Sequence, residues 1–356
     1  VDLTVVVVSW NVCDLLRRCL NSIVRLRSPQ AFSVRRSVEG GEPSGFKVEG
    51  SGFRTVRMEG QGETSNLELR TDVIVVDNAS TDGSVEMVRD EFPDVHLIVN
   101  DSNLGFTAAN NQGLAQSCGR YLLLLNPDTE IVGDALVTMV GYMEANPAVG
   151  ALGPQLRYPD GNLQSSRRRF PTFTTALVES TVVQEWWADN QILRRYYMAD
   201  TPDEALQQVD WVVGACLLVR RQVYEDIGGL DEGFFMYSEE LDWCRRIKDA
   251  GWEIIYLPTA AVIHHEGKSS EQVVPARHIY FQSSKVRYFR KHHGSFQAEL
   301  LRWFLLVTYV YQFVREGFKW LLGHKRPLRE ERVRAYGQVL RSGLRTSASL
   351  SGDHQP

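Results

Sequence analysis

The chain has 356 residues, 43% of them hydrophobic and 23% charged, with a formal net charge of −5. That length supports a sizeable core and up to two domains, and the acidic balance gives no reason to expect a nucleic acid partner. Five scattered cysteines form no C-x-x-C pair, which fits a reducing cytoplasm rather than a disulfide framework.

The chain opens directly into a strand pattern, with no signal-peptide pattern ahead of it, and no run reaches the roughly 18 apolar residues of a spanning helix. The first 150 residues alternate strand and helix patterns, as a mostly parallel α/β sheet requires. Strands are expected at Leu3–Val8, Val73–Val76, Val95–Val99 and Tyr121–Leu125, and helices at Asp14–Leu26, Gly83–Phe92, Thr107–Ser117 and Val132–Ala145. Thr81-Asp82, with Glu86 in the first turn, carries the capping chemistry of the second helix. Residues 28–71, rich in Gly, Ser, Glu and Arg, exceed what a crossover needs and are expected to form a flexible insertion. Further on, Trp211–Val219 reads as one more buried strand. Ser238 stands as N-cap of an amphipathic helix that carries Glu239, Glu240 and Asp242 at its start and stops at Gly251. From about residue 272 the chain reads as helical, with a disordered tail at 346–356. The expected division is a catalytic domain at 1–290 and a basic helical extension at 291–345.

Tyr121 to Leu125 is short, wholly apolar and followed by Asn126-Pro127-Asp128. Pro127 ends the ladder and presents Asp128 at the carboxyl end of a buried strand, where open α/β sheets bind ligands. A carboxylate there can hold Mg2+ or Mn2+ against a phosphorylated substrate; a solvated turn is the alternative. The first strand ends in Ser9-Trp10-Asn11 and the second in Asp77-Asn78. A nucleotide crevice needs an aromatic face, hydrogen-bond acceptors and a place for phosphate charge, which Trp10, Asp77 and Asp128 can supply in that order. Ser9 to Asp14 contains no glycine, against a dinucleotide-binding fold.

Three further groups carry chemistry. Gly105 opens the third helix, where backbone can approach an anion; simple capping by Asn103 is the alternative. Glu239, Glu240 and Asp242 follow a glycine-rich loop and four bulky apolar residues, so one of them can act as general base at the mouth of an acceptor pocket. Compensation of the helix dipole and an Asp242–Arg246 pair is the competing reading. His264-His265 follow a strand at Ala260–Ile263 and precede Gly267-Lys268-Ser269, a metal or diphosphate pattern if not a pair of surface histidines.

In this order the motifs resemble family 2 inverting glycosyltransferases of the rhamnosyltransferase-like branch. The matching pieces are Val5 to Asn11, Val75 to Ser84, Asn103 to Phe106, Leu125 to Asp128, Gly214 to Cys216, Gly228 to Glu232, Phe234 to Arg245 and His264 to Gly267. The resemblance implies a GT-A fold: a mixed, mostly parallel sheet flanked by helices, here with a C-terminal helical extension. It implies a nucleotide-diphosphate sugar held by Ser9, Trp10, Asn11 and Asp77. Asn78, Asn103, Gly105, Asn126 and Gly214 join the donor site by the same resemblance. Asp128 corresponds to the metal-binding acid of the D-x-D motif, with His264 as a second ligand to Mg2+ or Mn2+. Asn126 stands where that motif has its first acid. The family's acid pair near the acceptor is Glu-Asp with the second member as base; here that position is Glu240, which leaves Glu240 and Asp242 as candidates. The acceptor would be a glycan or a polyprenyl-linked saccharide.

Residues 290–345 hold twelve Lys/Arg against four Glu, a balance of +8 that leaves −13 on the rest. Within this part, residues 296–322 carry a long apolar pattern with interspersed cations. Such a helix fits an anionic membrane surface, placing the protein peripherally on the inner face of the plasma membrane; packing on the catalytic domain or on a second copy in a homodimer are the alternatives. A nucleotidyltransferase or a non-catalytic sugar-nucleotide-binding protein are the rival functions. The first lacks its glycine cluster in Ser9 to Arg18, and the second would not need the acid pair.

Overall fold

Val5 to Val8 are four β-branched residues in a row, and they sit at the centre of the main sheet with neighbours on both sides. The structure is a computed structural model that describes residues 1–24, 49–51, 53–55, 69–265, 274–323 and 325–345. Most of the expected 28–71 insertion, the 346–356 tail and the Glu266 to Ser269 part of the histidine motif lie outside the described residues.

The amino-terminal half runs β1 (Leu3–Ser9), α1 (Cys13–Val24), the paired short strands β2 (Glu49–Ser51) and β3 (Phe53–Thr55), β4 (Thr71–Asp77), α2 (Ser84–Glu91), β5 (His96–Val99), α3 (Phe106–Gln116), β6 (Tyr121–Leu125), β7 (Thr129–Ile131) and α4 (Ala135–Ala145). It continues through β8 (Val149–Arg157), β9 (Leu163–Gln164), β10 (Arg167–Arg168), the short helices α5 (Phe173–Val178), α6 (Val182–Trp186) and α7 (Gln191–Tyr196), then β11 (Gln207–Gln208), β12 (Trp211–Val212) and β13 (Cys216–Arg220). The rest is α8 (Arg221–Ile227), α9 (Glu239–Asp249), β14 (Glu253–His264), α10 (Val274–His293), α11 (Ser295–Leu321) and α12 (Arg326–Ser342).

The main sheet has the order β11-β14-β8-β13-β6-β1-β4-β5. β5, β4, β1 and β6 are parallel; β13 is antiparallel to both β6 and β8, and β14 returns parallel to β8. The chain therefore builds outward from β1 to β5 and then reverses to β6 on the other side of β1. That reversal opens a crevice at the carboxyl ends of β1, β4 and β6, where such sheets take ligands.

Side chains alternate along β1. Val5 and Val7 join Leu123, Leu16, Leu20 and Met139 on the face covered by α1 and α4. Val6 points the other way, with Leu122 and Leu124, into a second core that includes Trp243, Phe289, Leu301 and Val339. Helix α3 approaches β1 closely: a Cβ at Gly113 would overlap Val6 Cγ1, so only glycine permits that spacing. The C-terminal helices α10–α12 share the second core with α9 and β13, and α10 runs uninterrupted through residue 290.

Three local expectations change. Trp211–Val219 is two strands, not one: β12 pairs with β10 in a separate small sheet, while β13 joins β6. The break falls at residues 213–215, where Val213 N bonds Ser166 O and Gly214 packs on Glu240. Ser238 occupies the N-cap position in a left-handed conformation and its side chain caps nothing. Gly105 rather than Asn103 is the N-cap of α3, although Asn103 Oδ1 accepts from Gly105 N at 2.9 Å.

Candidate active site

At the end of β1, Ser9 lies directly beside Asp77 of β4 in the parallel register. Both are buried. Asp77 Oδ1 accepts from Ser80 N at 2.8 Å, forming a turn that Ala79 enters with φ 66°. Asp77 Oδ2 and Ser9 Oγ have no hydrogen-bond partner among the described residues. A buried polar atom left so costs about 1–3 kcal/mol, and such a pair at strand ends is what a ligand's donors would satisfy. Trp10 is half-buried on the same rim. Asn11, with φ 52°, ties the two strand ends together: its N–H donates to Ser80 Oγ at 2.9 Å and its Oδ1 accepts from Thr81 N at 2.7 Å.

Asn78 and Asn103 hold the rim rather than project from it. Asn78 Nδ2 donates to Asn103 Oδ1 and Gly105 O, both at 3.1 Å, and its Oδ1 accepts from Leu104 N and Asn100 Nδ2. The first N–H of α3, on Phe106, goes to Phe235 O at 2.9 Å, and a Cβ at Gly105 would stand 2.6 Å from the Phe235 ring. The α3 N-terminus is thus closed by the 234–238 loop, and Gly105 is there for that contact.

Asn126 to Thr129 form the turn from β6 to β7, with Thr129 N and Oγ1 both donating to Asn126 O. The pairing of β7 with β14 sets Thr129 opposite His264 and so brings Asp128 beside it. His264 Nε2 lies 3.3 Å from Asp128 Oδ1, both side chains being buried. On its other side, His264 Nδ1 is 2.9 Å from Gln164 Oε1. An amide oxygen only accepts, so Nδ1 carries a proton, and Nε2 faces Asp128 either as a lone pair or as a second N–H. As a lone pair, Nε2 would repel the carboxylate at this distance unless a cation lay between them. The pair fits a divalent ion that keeps other positions for water and phosphate, as Mg2+ does. Among the described residues no three His, Cys, Asp or Glu side chains converge on one point. Asn126 Oδ1 is buried without a hydrogen-bond partner among them.

Asn126 N bonds Ala215 O at 2.9 Å, and the preceding Gly214 lies against Glu240: a Cβ there would sit 3.3 Å from Glu240 Cβ and Cγ. The short link 213–215 between β12 and β13 thus touches the Asn126 turn on one side and Glu240 on the other. Phe235 stacks on Tyr280 of α10, and Tyr237 and Ser238, both left-handed, turn the chain into α9. Burial, then the neighbouring Glu240 charge, pushes the Glu239 carboxyl well above its usual range. Burial also raises Glu240, opposed by the N–H groups of Gly214 and Leu241 and by the charge of Arg168. Two adjoining buried carboxyls do not both ionise readily. Glu239 is pushed up the more strongly of the two, whereas Glu240 has backbone N–H groups and Arg168 to favour its charged form.

Asp242 lies fully buried among basic side chains. His292 Nε2 is 2.8 Å from Oδ1, and Arg246 Nε and Lys291 Nζ donate to Oδ2 at 2.9 and 3.0 Å. Burial pushes its carboxyl up, but these three partners outweigh it and hold it below the usual range. A carboxylate so satisfied is a poor proton acceptor.

One residue the motifs did not single out is Arg168. Its guanidinium lies over the rings of Tyr197 and Trp211, with centroid distances of 4.6 and 6.0 Å. No carboxylate among the described residues is within ion-pair distance of it, and burial lowers its pKa. The triple Arg167-Arg168-Arg169 in a polar stretch was the available signal, but Arg167 and Arg169 turn to Asp203 and Asp200 instead.

Residues 64–228 match the model of Glycosyl transferase family 2. The N-acetylglucosaminyl-diphospho-decaprenol L-rhamnosyltransferase of Mycobacterium tuberculosis is 31% identical over 258 residues, 68% of this chain and 83% of the relative. Rhamnosyltransferase WbbL of Escherichia coli K12 is 28% identical over 169 residues, 47% of this chain and 61% of its own. A solved mannosyltransferase from Pyrobaculum calidifontis, in complex with GDP-Man and Mn2+, has the same fold: TM-score 0.50 at 16% identity, covering 96% of this chain and 86% of that one. Together with the strand-end motifs and the sheet order, the matches establish that the chain is a GT-A glycosyltransferase belonging to glycosyl transferase family 2.

Proposed function

We propose that the chain transfers a rhamnosyl residue from a nucleoside-diphosphate donor to a hydroxyl of a polyprenyl-diphosphate-linked saccharide, with inversion at the anomeric carbon. The observation that carries this reading is the buried pair of unpartnered oxygens, Ser9 Oγ and Asp77 Oδ2, at the strand-end rim whose next strand, β6, leads into the Asp128–His264 pair. The relatives' activities support the sugar and the acceptor class.

Ser9, Asp77 and Trp10 take the nucleoside: two oxygens for its donors and an indole face for its base. Asn11, Asn78, Asn103 and Gly105 shape that rim through their mutual bonds and the Phe235 contact. Asp128 and His264 hold the divalent ion, Mg2+ or Mn2+, and Asn126 adds a neutral oxygen. Such an ion supplies charge against the departing diphosphate. Gly214 keeps the wall thin between donor and acceptor sides. Glu240 removes the acceptor hydroxyl proton as the C–O bond forms, an effect typically worth about 10²–10⁴ in rate. Because one displacement suffices, no covalent sugar–enzyme intermediate forms.

The test is transfer from a panel of nucleoside-diphosphate sugars to a short-chain polyprenyl-diphosphate saccharide, with product anomers assigned by NMR. A β-linked product from a β-donor, or transfer only from hexosamine donors, would refute the reading.

A further inference from the structure

Helix α11 has two apolar faces, and only one is used. Ala298, Leu301, Leu305 and Tyr309 face the second core. Phe296, Leu300, Trp303, Val307, Val314 and Phe318 recur every three to four residues or multiples of that spacing on the other side, and they stand 49–82% exposed. Leu321 and Leu322 continue the stripe to the helix end, 69% and 68% exposed. At 27 residues the helix is roughly 40 Å long. Exposed apolar surface of that extent marks an interaction site.

We propose that this face of α11 is the surface by which the enzyme lies on an anionic lipid bilayer. Charge argues for lipid. Both acids of α11 are neutralised within the fold: Glu299 bonds Arg290 and Arg302, and buried Glu316 is ringed by Arg315, Lys319, Arg329 and Arg332. Residues 290–345 carry a surplus of +8, from which Lys291 is engaged by Asp231 and Asp242 and Arg315 by Glu185, and no exposed carboxylate of α11 is left unpaired. Aromatic residues extend the face sideways. Trp186 of α6, 66% exposed, meets Tyr311 edge-on at 5.6 Å, and Trp187 beside it is 51% exposed. Tryptophan and tyrosine at the flank of an apolar stripe suit the headgroup region. No helix among the described residues is long and apolar enough to cross a membrane, so α11 lies in the surface plane. Residues 346–356 offer one large apolar side chain, Leu350, too little to cover the stripe.

The surface is also tied to the site. α11 packs on α10 and α5, and α10 holds the 234–238 loop through the Phe235–Tyr280 stack and the Ser284 Oγ bond to Met236 O. A bilayer under α11 would deliver a lipid-linked acceptor to the side of the crevice that Glu240 serves; this consequence rests on the acceptor class proposed above, whereas the docking itself does not.

The experiment is flotation of the full chain with phosphatidylglycerol/phosphatidylcholine vesicles and with phosphatidylcholine alone, without donor or acceptor. Wild type should float with the anionic vesicles. The triple variant Val307→Glu, Val314→Glu, Phe318→Glu should lose binding about tenfold or more, and Leu206→Glu, exposed beside the edge strand β11 and not on α11, should not. Donor hydrolysis by the triple variant should stay at the wild-type rate. Failure to float, with the chain monomeric by light scattering, overturns the proposal. So does a dimer that the triple variant dissolves, which would assign the face to a second copy. Either result leaves the transferase reading standing, and loss of hydrolysis with binding intact would strike that reading alone.

Discussion

His264 Nε2 and Asp128 Oδ1 are 3.3 Å apart because β7 pairs with β14, with Thr129 opposite His264. Residues 136 positions apart in the chain thereby become one candidate ligand pair. Asp128→Ala and His264→Ala should each weaken Mn2+ binding, read by electron paramagnetic resonance of the free ion, and chelation should stop wild-type transfer. Each removed ligand should cost about 10–100-fold in affinity, and unchanged binding in both variants would place the ion elsewhere.

The acid pair separates by substitution. Glu240→Gln should lower kcat for transfer by about 10²–10⁴. Glu239→Gln is isosteric with the neutral acid that burial favours at Glu239 and should keep kcat within severalfold. Equal losses would mean that Glu240 is not the sole base. The raised Glu240 carboxyl also predicts that kcat/KM falls, as pH drops, at a higher pH than an ordinary carboxylate would allow.

Arg168 opposes that rise. Removing its charge in Arg168→Met should raise the Glu240 pKa further and move the acid limb of the pH–rate profile to higher pH. A limb that stays in place would leave Arg168 a purely structural contact to Tyr197 and Trp211.

Asp231 and Asp242 share Lys291. Burial raises the Asp231 carboxyl, but Lys291, Gly233 N and Arg287 hold it at about 2 against an ordinary value of 3.8. A depressed carboxylate stabilises the fold above its unfolded pKa, and the contribution is lost as pH falls through the folded value. The difference in urea midpoint between wild type and Asp231→Asn should therefore be full near neutral pH and shrink between about pH 4 and 2. A difference that is flat across this range would exclude the ion pairs as its source.

Gly113→Ala should destabilise by about 1–3 kcal/mol through overlap with Val6, measured by chemical denaturation. Ala115→Gly on the same helix should instead cost about 0.5–1 kcal/mol through propensity alone.

Local pattern determined much of this protein. The apolar runs Val5 to Val8, Val73 to Val76 and Tyr121 to Leu125 read as buried strands, and the residues after each put Ser9, Asp77 and Asp128 on one rim. Long-range pairing decided the rest. Nothing local distinguishes a capping Ser238 from a left-handed one, or shows that Asn78 spends its amide on residues 100–105. Glu240 and Asp242 are two positions apart on one helix and look interchangeable in sequence. The fold sets one against Gly214 beside a second buried carboxyl and the other between Arg246 on its own helix and Lys291 and His292 of α10, which lie some fifty residues downstream. Protonation depends on what surrounds a carboxyl in space, and α10 supplies that only once the chain has closed on itself.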